Sequence, residues 1–137
     1  MSKSRIFLAI ADETLREKYR TRLFQEGFAV LASGNGLECI EMLRAWTPEL
    51  LVLDPELPWG GGDGVLAVME RDPKLALTSV IILGLNDHSD RLERMLNFPV
   101  HDVMFAPVSP EELADNIASV LRDPVPITSV VEESLTS

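Results

Sequence analysis

The chain has 137 residues and one cysteine, Cys39, which predicts a single domain and excludes an intramolecular disulfide. A formal net charge of −10 argues against direct binding to nucleic acid or to an anionic membrane, because both need clustered Lys and Arg. The apolar run at residues 6–11 is too short to cross a membrane, and no signal-peptide pattern accompanies it. We therefore expect a cytoplasmic protein that contacts neither membrane nor nucleic acid.

Short apolar runs alternate along the chain with stretches of helical periodicity. In chain order, the pattern predicts strand 6–10, helix 12–26, strand 28–32, helix 37–45, strand 50–53, helix 65–71, strand 80–83, helix 88–96, strand 102–105 and a last helix after Ser109. The third strand is apolar at consecutive positions, which is typical of a strand covered on both faces. The alternation predicts an α/β fold with a parallel sheet between two helical layers.

The start of the last helix has the clearest local signal. Ser109 can cap the helix, Pro110 suits its first position, and Glu112 completes a capping box. The pattern stops at Asp123, and the remaining residues are rich in Pro, Ser, Thr and Glu. We therefore predict a domain over residues 1–123 and a flexible tail over 124–137.

Two acidic residues lie just after predicted strands. Ligands of parallel sheets bind beyond the carboxyl ends of the strands, and there Asp12 follows the first strand and Asp54 the third. Two carboxylates on neighbouring strand ends can share a Mg²⁺ ion. The alternative, in which Asp12 only caps the helix that follows it, carries equal weight.

Four segments together resemble the receiver domains of response regulators in two-component signalling. They are residues 32–36, 48–58, 63–64 and 106–113, and the similarity runs from about Arg5 to Arg122. The resemblance implies a CheY-like, flavodoxin-like sheet in the order 2-1-3-4-5. It also implies that Asp54 is the phosphoacceptor, and that Asp12 and the backbone carbonyl of Glu56 join it in holding Mg²⁺.

Other positions depart from the pattern of the family. The first metal-binding acid is replaced by Ala11, the hydroxyl residue after the fourth strand by Gly84, and the lysine after the fifth strand by Ala106. The aromatic switch residue of the fifth strand is replaced by Val103. Because phosphoryl transfer depends on neutralising charge at the phosphoryl oxygens, these losses predict weak or absent metal binding and little phosphotransfer.

The loop after Asp54 carries about two extra residues, within 59–62. Its three glycines lack the lysine of a P-loop and the spacing of a dinucleotide site, so a permissive loop is the better interpretation. We expect Trp59 to form a lid over the site, with an exposed contact residue as the alternative. Glu56 can in principle replace the missing acid, although a solvated loop carboxylate is the simpler role.

These observations favour a degenerate receiver that acts by protein–protein interaction, with no enzymatic activity and no required cofactor. A histidine kinase or a downstream signalling protein is the expected partner, and a homodimer is compatible with the sequence. The alternative is a working receiver that is phosphorylated at Asp54 with Mg²⁺. An unrelated flavodoxin-like enzyme or a phosphatase with Glu56 as its second acid has less support, since no other catalytic set falls on the strand ends.

Overall fold

A computed structural model describes residues 3–84 and 90–128. Five parallel strands form one sheet in the order β2-β1-β3-β4-β5, which confirms the predicted topology. The strands are β1 (Arg5–Ala9), β2 (Ala29–Ser33), β3 (Leu50–Leu53), β4 (Ser79–Gly84) and β5 (Asp102–Phe105). The helices are α1 (Glu13–Gln25), α2 (Gly36–Trp46), α3 (Gly61–Arg71), α4 (Asp90–Met95) and α5 (Pro110–Arg122), with a short 3₁₀ turn at Pro73–Leu75.

The hydrophobic core lies on both faces of the sheet. Alternate residues of β3 belong to different clusters, because successive side chains of a strand point to opposite faces. Leu51 and Leu53 pack with residues of α2, α3 and α4, whereas Leu50 and Val52 pack with residues of α1 and α5. All four side chains are fully buried, as the consecutive apolar run predicts.

The observed starts of two helices can be compared with the predicted ones. Ser109 caps α5 as predicted, and its Oγ accepts a hydrogen bond of 3.0 Å from the amide of Glu112. Helix α3 begins at Gly61, four residues before its predicted start at residue 65. The glycine run is therefore part of the helix start, with Gly60 and Gly61 at positive φ angles of 100° and 70°. The predicted helix at 88–96 corresponds to α4, and His88 lies outside the described residues.

The start of the predicted flexible tail lies against the loop between α4 and β5. The amide of Ile127 donates to the carbonyl of Val100 at 2.7 Å, and Thr128 Oγ1 donates to the carbonyl of Phe98 at 2.8 Å. Pro124 and Pro126 also line a cavity of about 480 Å³ at the amino-terminal end of β4, away from the strand ends that carry Asp54. Residues 129–137 lie outside the described part, so flexibility of the tail stays a prediction.

Within residues 3–84 and 90–128, none of the helices combines the length and the apolar character that crossing a membrane requires.

Candidate functional site

Asp54 lies at the carboxyl end of the central strand β3, and its side chain is only 3% exposed. Its Oδ2 accepts a hydrogen bond of 3.0 Å from the amide of Ala11, and its Oδ1 accepts one of 2.9 Å from the amide of Glu56. The amide of Asp54 itself donates to the carbonyl of Ala9 at 2.9 Å. The carboxylate therefore connects the ends of β1 and β3 through hydrogen bonds from backbone amides.

Asp12 follows the neighbouring strand β1 but is exposed and acts as the N-cap of α1. Its Oδ1 accepts a hydrogen bond of 2.9 Å from the amide of Leu15. The structure thus realises the capping role that the sequence left open as an alternative to metal binding. In the described part of the chain, no three His, Cys, Asp or Glu side chains cluster closely enough to hold a metal ion.

The donor set at these strand ends fits a divalent cation poorly. Both oxygens of Asp54 already accept backbone hydrogen bonds, Asp12 caps a helix, and Ala11 offers no carboxylate. The carboxylate of Glu56 lies 3.6 Å from the guanidinium of Arg91, so it faces a cation of the chain itself. Weak Mg²⁺ binding therefore remains the expectation, with Glu56 no substitute for the missing acid.

Arg16 is a site residue that the sequence analysis did not single out. Its Nη1 donates to the carbonyl of Ile10 at 2.7 Å and lies 3.4 Å from the carbonyl of Ala11. The guanidinium thus lies across the end of β1, one helical turn after Asp12. The only sequence signal is the four-residue spacing of Asp12 and Arg16, which is common on helix surfaces and therefore weak.

The positions of the missing hydroxyl and lysine lie beside each other. Gly84 ends β4, and its carbonyl accepts a hydrogen bond of 2.8 Å from the amide of Ala106. The peptide bond between Ala106 and Pro107 is cis. Neither Gly84 nor Ala106 carries a polar side chain, so among the described residues these two positions offer the site only backbone atoms and a methyl group.

Val103, at the position of the aromatic switch residue, pairs with Ile82 and packs against the core cluster of α2, α3 and α4. Phe105 lies two residues further along β5 and is 44% exposed. Residues two apart lie on the same face of a strand, so an aromatic ring is present on this face but at the far end of β5.

Two arginines of α4 bind the first turn of α3. Asp63 Oδ1 lies 3.1 Å from Nη1 of Arg91, and its Oδ2 lies 2.9 Å from Nε of Arg94. Partial burial acts to raise the pKa of Asp63, but the hydrogen bonds from Arg94 and Arg91 outweigh it, and the pKa lies below its usual value. The Asp63-Gly64 pair of the sequence analysis is therefore an anchor for α4.

The expectation that Trp59 forms a lid is wrong. Its side chain is 73% exposed, and its backbone has a left-handed φ of 64°. The carbonyl of Pro58 accepts a hydrogen bond of 2.7 Å from the amide of Gly36, which holds the loop between β3 and α3 against the start of α2. The extra residues thus carry Trp59 outward, and its exposure agrees with the alternative interpretation, in which a contact role stays a prediction.

A doubly wound parallel sheet in the order 2-1-3-4-5, with a buried aspartate at the end of its central strand, has the architecture of CheY-like signalling domains. The sequence profile described as "Response regulator receiver domain" matches residues 6–118. The chain belongs to the response regulator receiver family of two-component signalling.

Similarity to individual proteins supports this assignment. A protein described as "Probable transcriptional regulator ycf27" from Porphyridium aerugineum is 30% identical over 122 residues, which are 89% of this chain and 50% of that protein. A DNA-binding response regulator of the LuxR family from Staphylococcus aureus superposes with a TM-score of 0.77 at 26% identity, over 86% of this chain and 98% of that one. A CheY-like receiver domain from Methanospirillum hungatei gives a TM-score of 0.78 at 21% identity, over 89% and 96% of the two chains, and supports the fold alone. The chain spans about half the length of the curated relatives it matches.

Proposed function

We propose that this chain is an atypical receiver whose binding to a signalling partner does not depend on phosphorylation of Asp54. The observation that carries the proposal has two parts. Two backbone amides hold the carboxylate of Asp54, and the neighbouring strand ends have Gly84 and Ala106 where the family has a hydroxyl residue and a lysine. The partner is a histidine kinase or a downstream signalling protein. The module has no enzymatic activity, requires no cofactor, and acts in the cytoplasm without direct contact with nucleic acid or membrane.

The chemical argument concerns charge at the phosphoryl group. Aspartyl phosphate formation places negative charge on oxygens that a cation and hydrogen-bond donors must stabilise. Losing one such contact typically costs about 3 kcal/mol of transition-state stabilisation. Here the side chain of Gly84 supplies no hydrogen-bond donor, and that of Ala106 supplies no cation. Ala11 also weakens the metal site that would supply the remaining positive charge.

The conformational argument concerns what a phosphoryl group would move. A ligand shifts an equilibrium between two conformations only when it contacts them differently. Gly84 has no hydroxyl to move toward a phosphoryl group, and Val103 has no ring to follow it. The ion pairs of Arg91 and Arg94 with Asp63 further favour one position of α4. We therefore assign partner binding to one dominant state, through the face formed by α4, β5 and α5.

The first experiment tests phosphorylation directly. The protein is incubated with Mg²⁺ and a small acyl phosphate, and its intact mass is measured. We expect no phosphoryl adduct. As a matched control, the double variant Gly84→Thr/Ala106→Lys restores the hydroxyl and the cation, and the same variant with Ala11→Asp restores the acid. An adduct in the wild type that disappears in Asp54→Asn would instead establish the alternative, a working receiver with Mg²⁺.

The second experiment tests the independence of binding from Asp54. Once a kinase or downstream partner is identified, its affinity is measured for the wild type, Asp54→Asn and Asp54→Glu. We expect three equal affinities, provided that each variant is folded at the assay temperature. A tenfold difference, worth roughly 1.4 kcal/mol, would show that Asp54 still controls the output and would overturn the proposal.

A further inference from the structure

Two exposed apolar side chains come from elements that the fold brings into contact. Trp59 is 73% exposed in the loop between β3 and α3, and Leu37 is 62% exposed in the first turn of α2. The two elements meet at Gly36, where a Cβ atom would collide with the carbonyl oxygen of Trp59. The glycine therefore permits the contact that places Trp59 beside the turn carrying Leu37.

The backbone of Trp59 is held in an unfavourable conformation. A left-handed φ of 64° is uncommon for a bulky residue, and such conformations persist only where surrounding contacts impose them. Hydrogen bonds on both sides impose it here, from Gly36 to the carbonyl of Pro58 at 2.7 Å and from Gly61 to the carbonyl of Leu57 at 3.0 Å. Because Trp59 is 73% exposed, its ring contributes little burial to the core and is accessible to a binding partner.

The charged residues within the two segments that carry Leu37 and Trp59 have one sign, whereas Arg91 reaches the second segment from α4, with its Nη1 3.4 Å from the carbonyl of Gly60. Residues 34–43 and 54–62 contain four acidic residues and no Lys or Arg. Glu38 and Glu41 are exposed on α2, one and four positions after Leu37, and Glu41 thus lies on the same helix face as Leu37. Glu56 and Asp54 are already engaged, by Arg91 and by backbone amides, which leaves Glu38 and Glu41 as the acids available to a partner.

We propose that Leu37, Trp59, Glu38 and Glu41, here called the Trp59 patch, form a docking surface for a basic amphipathic segment of a partner protein. An aliphatic side chain of that segment packs on Trp59 and Leu37, while its Lys or Arg residues pair with the two glutamates or stack on the indole ring. The same carboxylates repel nucleic acid, an anionic membrane and a second copy of the patch. This surface belongs to α2 and the loop between β3 and α3, not to α4, β5 and α5, and it does not rest on the chemistry of Asp54.

The test uses a synthetic helical peptide with Leu on one face and Lys on the other, labelled for fluorescence anisotropy. We expect saturable binding that weakens at least tenfold in Trp59→Ala and in Glu38→Gln/Glu41→Gln, and that weakens with added salt because exposed charges are screened. Leu77→Gln is the matched control, since Leu77 is 93% exposed outside the patch and its loss should leave affinity unchanged. In a Trp46→Phe background, where Trp59 is the remaining tryptophan, binding should shift its emission to the blue.

Three results would overturn the proposal. The first is undiminished peptide binding by Trp59→Ala in a protein whose circular dichroism and melting temperature match the wild type. The second is equal binding of a peptide in which every Lys is replaced by Glu, which would remove the role of charge. The third is self-association of the protein without peptide that Trp59→Ala abolishes, which would identify a second copy as the occupant.

Discussion

Replacing Asp54 by Asn should destabilise the fold, because the carboxylate is part of the connection between β1 and β3. Its two oxygens accept hydrogen bonds from the amides of Ala11 and Glu56. An Asn side chain keeps one acceptor but turns an NH₂ group toward the other amide. One amide is then left without a partner, next to a donor instead of an acceptor.

The size of the effect follows from these contacts. A hydrogen bond to a charged group contributes about 1.5–3 kcal/mol, and an unpaired buried amide loses most of that. Neutralising a side chain that is 3% exposed regains part of its desolvation cost, which leaves a net loss of about 1–2 kcal/mol. For 137 residues the entropy of unfolding is roughly 0.3 kcal/mol/K, so the melting temperature should fall by about 3–7 °C.

The measurement is thermal and urea unfolding of the wild type, Asp54→Asn and Asp12→Asn in metal-free buffer. Asp12→Asn is the matched control, because Asn caps a helix as well as Asp does and should change stability by less than about 0.5 kcal/mol. An Asp54→Asn variant that is as stable as the wild type, or more stable, would contradict the reasoning. It would mean that the carboxylate is under repulsion in the absence of a cation, as in a metal site.

Three further predictions concern buried and paired groups. Burial, assisted by Glu38, raises the pKa of the Cys39 thiol to about 12, so alkylation followed by mass spectrometry should be negligible in the folded protein and complete in urea. Burial lowers the pKa of His101 below 6.5, and its Nδ1 accepts a hydrogen bond from the amide of Val80. The contribution of the neutral imidazole to the free energy of unfolding should therefore be fully present above pH 6.5 and decrease as the pH falls from 6.5 toward the lower folded pKa. Urea unfolding at several pH values should show a weaker dependence of this free energy on pH in His101→Gln than in the wild type. Asp63→Asn removes the shared anion of the two arginines and should increase amide hydrogen exchange in α4 while leaving α5 unchanged.

Sequence patterns predicted the sheet well because its strands are buried and continuous. The run Leu50–Leu53 is buried at every position, and hydrophobic burial on both faces leaves few alternatives to a central parallel strand. The capping box at Ser109 was equally predictable, since a cap depends on residues three positions apart. The start of α3 was four residues out, because positive φ angles at Gly60 and Gly61 let the glycine run enter the helix.

The site was less predictable because its contacts join distant parts of the chain. Position in the sequence identified Asp54 and the bare neighbours Gly84 and Ala106. It did not indicate that Arg91, 28 residues after Asp63, would reach back to that carboxylate. The sequence also did not indicate that Trp59 is exposed. Its position depends on the close backbone contact that Gly36 permits, and not on the loop sequence alone.

The departures from the family pattern compensate one another in charge. Relative to that pattern, Ala11 removes one negative charge from the strand ends and Ala106 removes one positive charge, so the balance of protein charge there is unchanged. A complete acid pair beside Asp54 needs a cation to offset its repulsion. Here the one remaining acid, Asp12, is exposed and caps α1, and the buried Asp54 is held by two backbone amides. Arg16 and Arg91 add fixed positive charge near the ends of β1 and β3 through contacts within the chain. Because the negative charge at these strand ends is already balanced by contacts within the chain, binding Mg²⁺ would add little stabilisation. For the same reason, replacing Asp54 by a neutral residue should lower the free energy of unfolding, since it removes hydrogen bonds and relieves no charge repulsion.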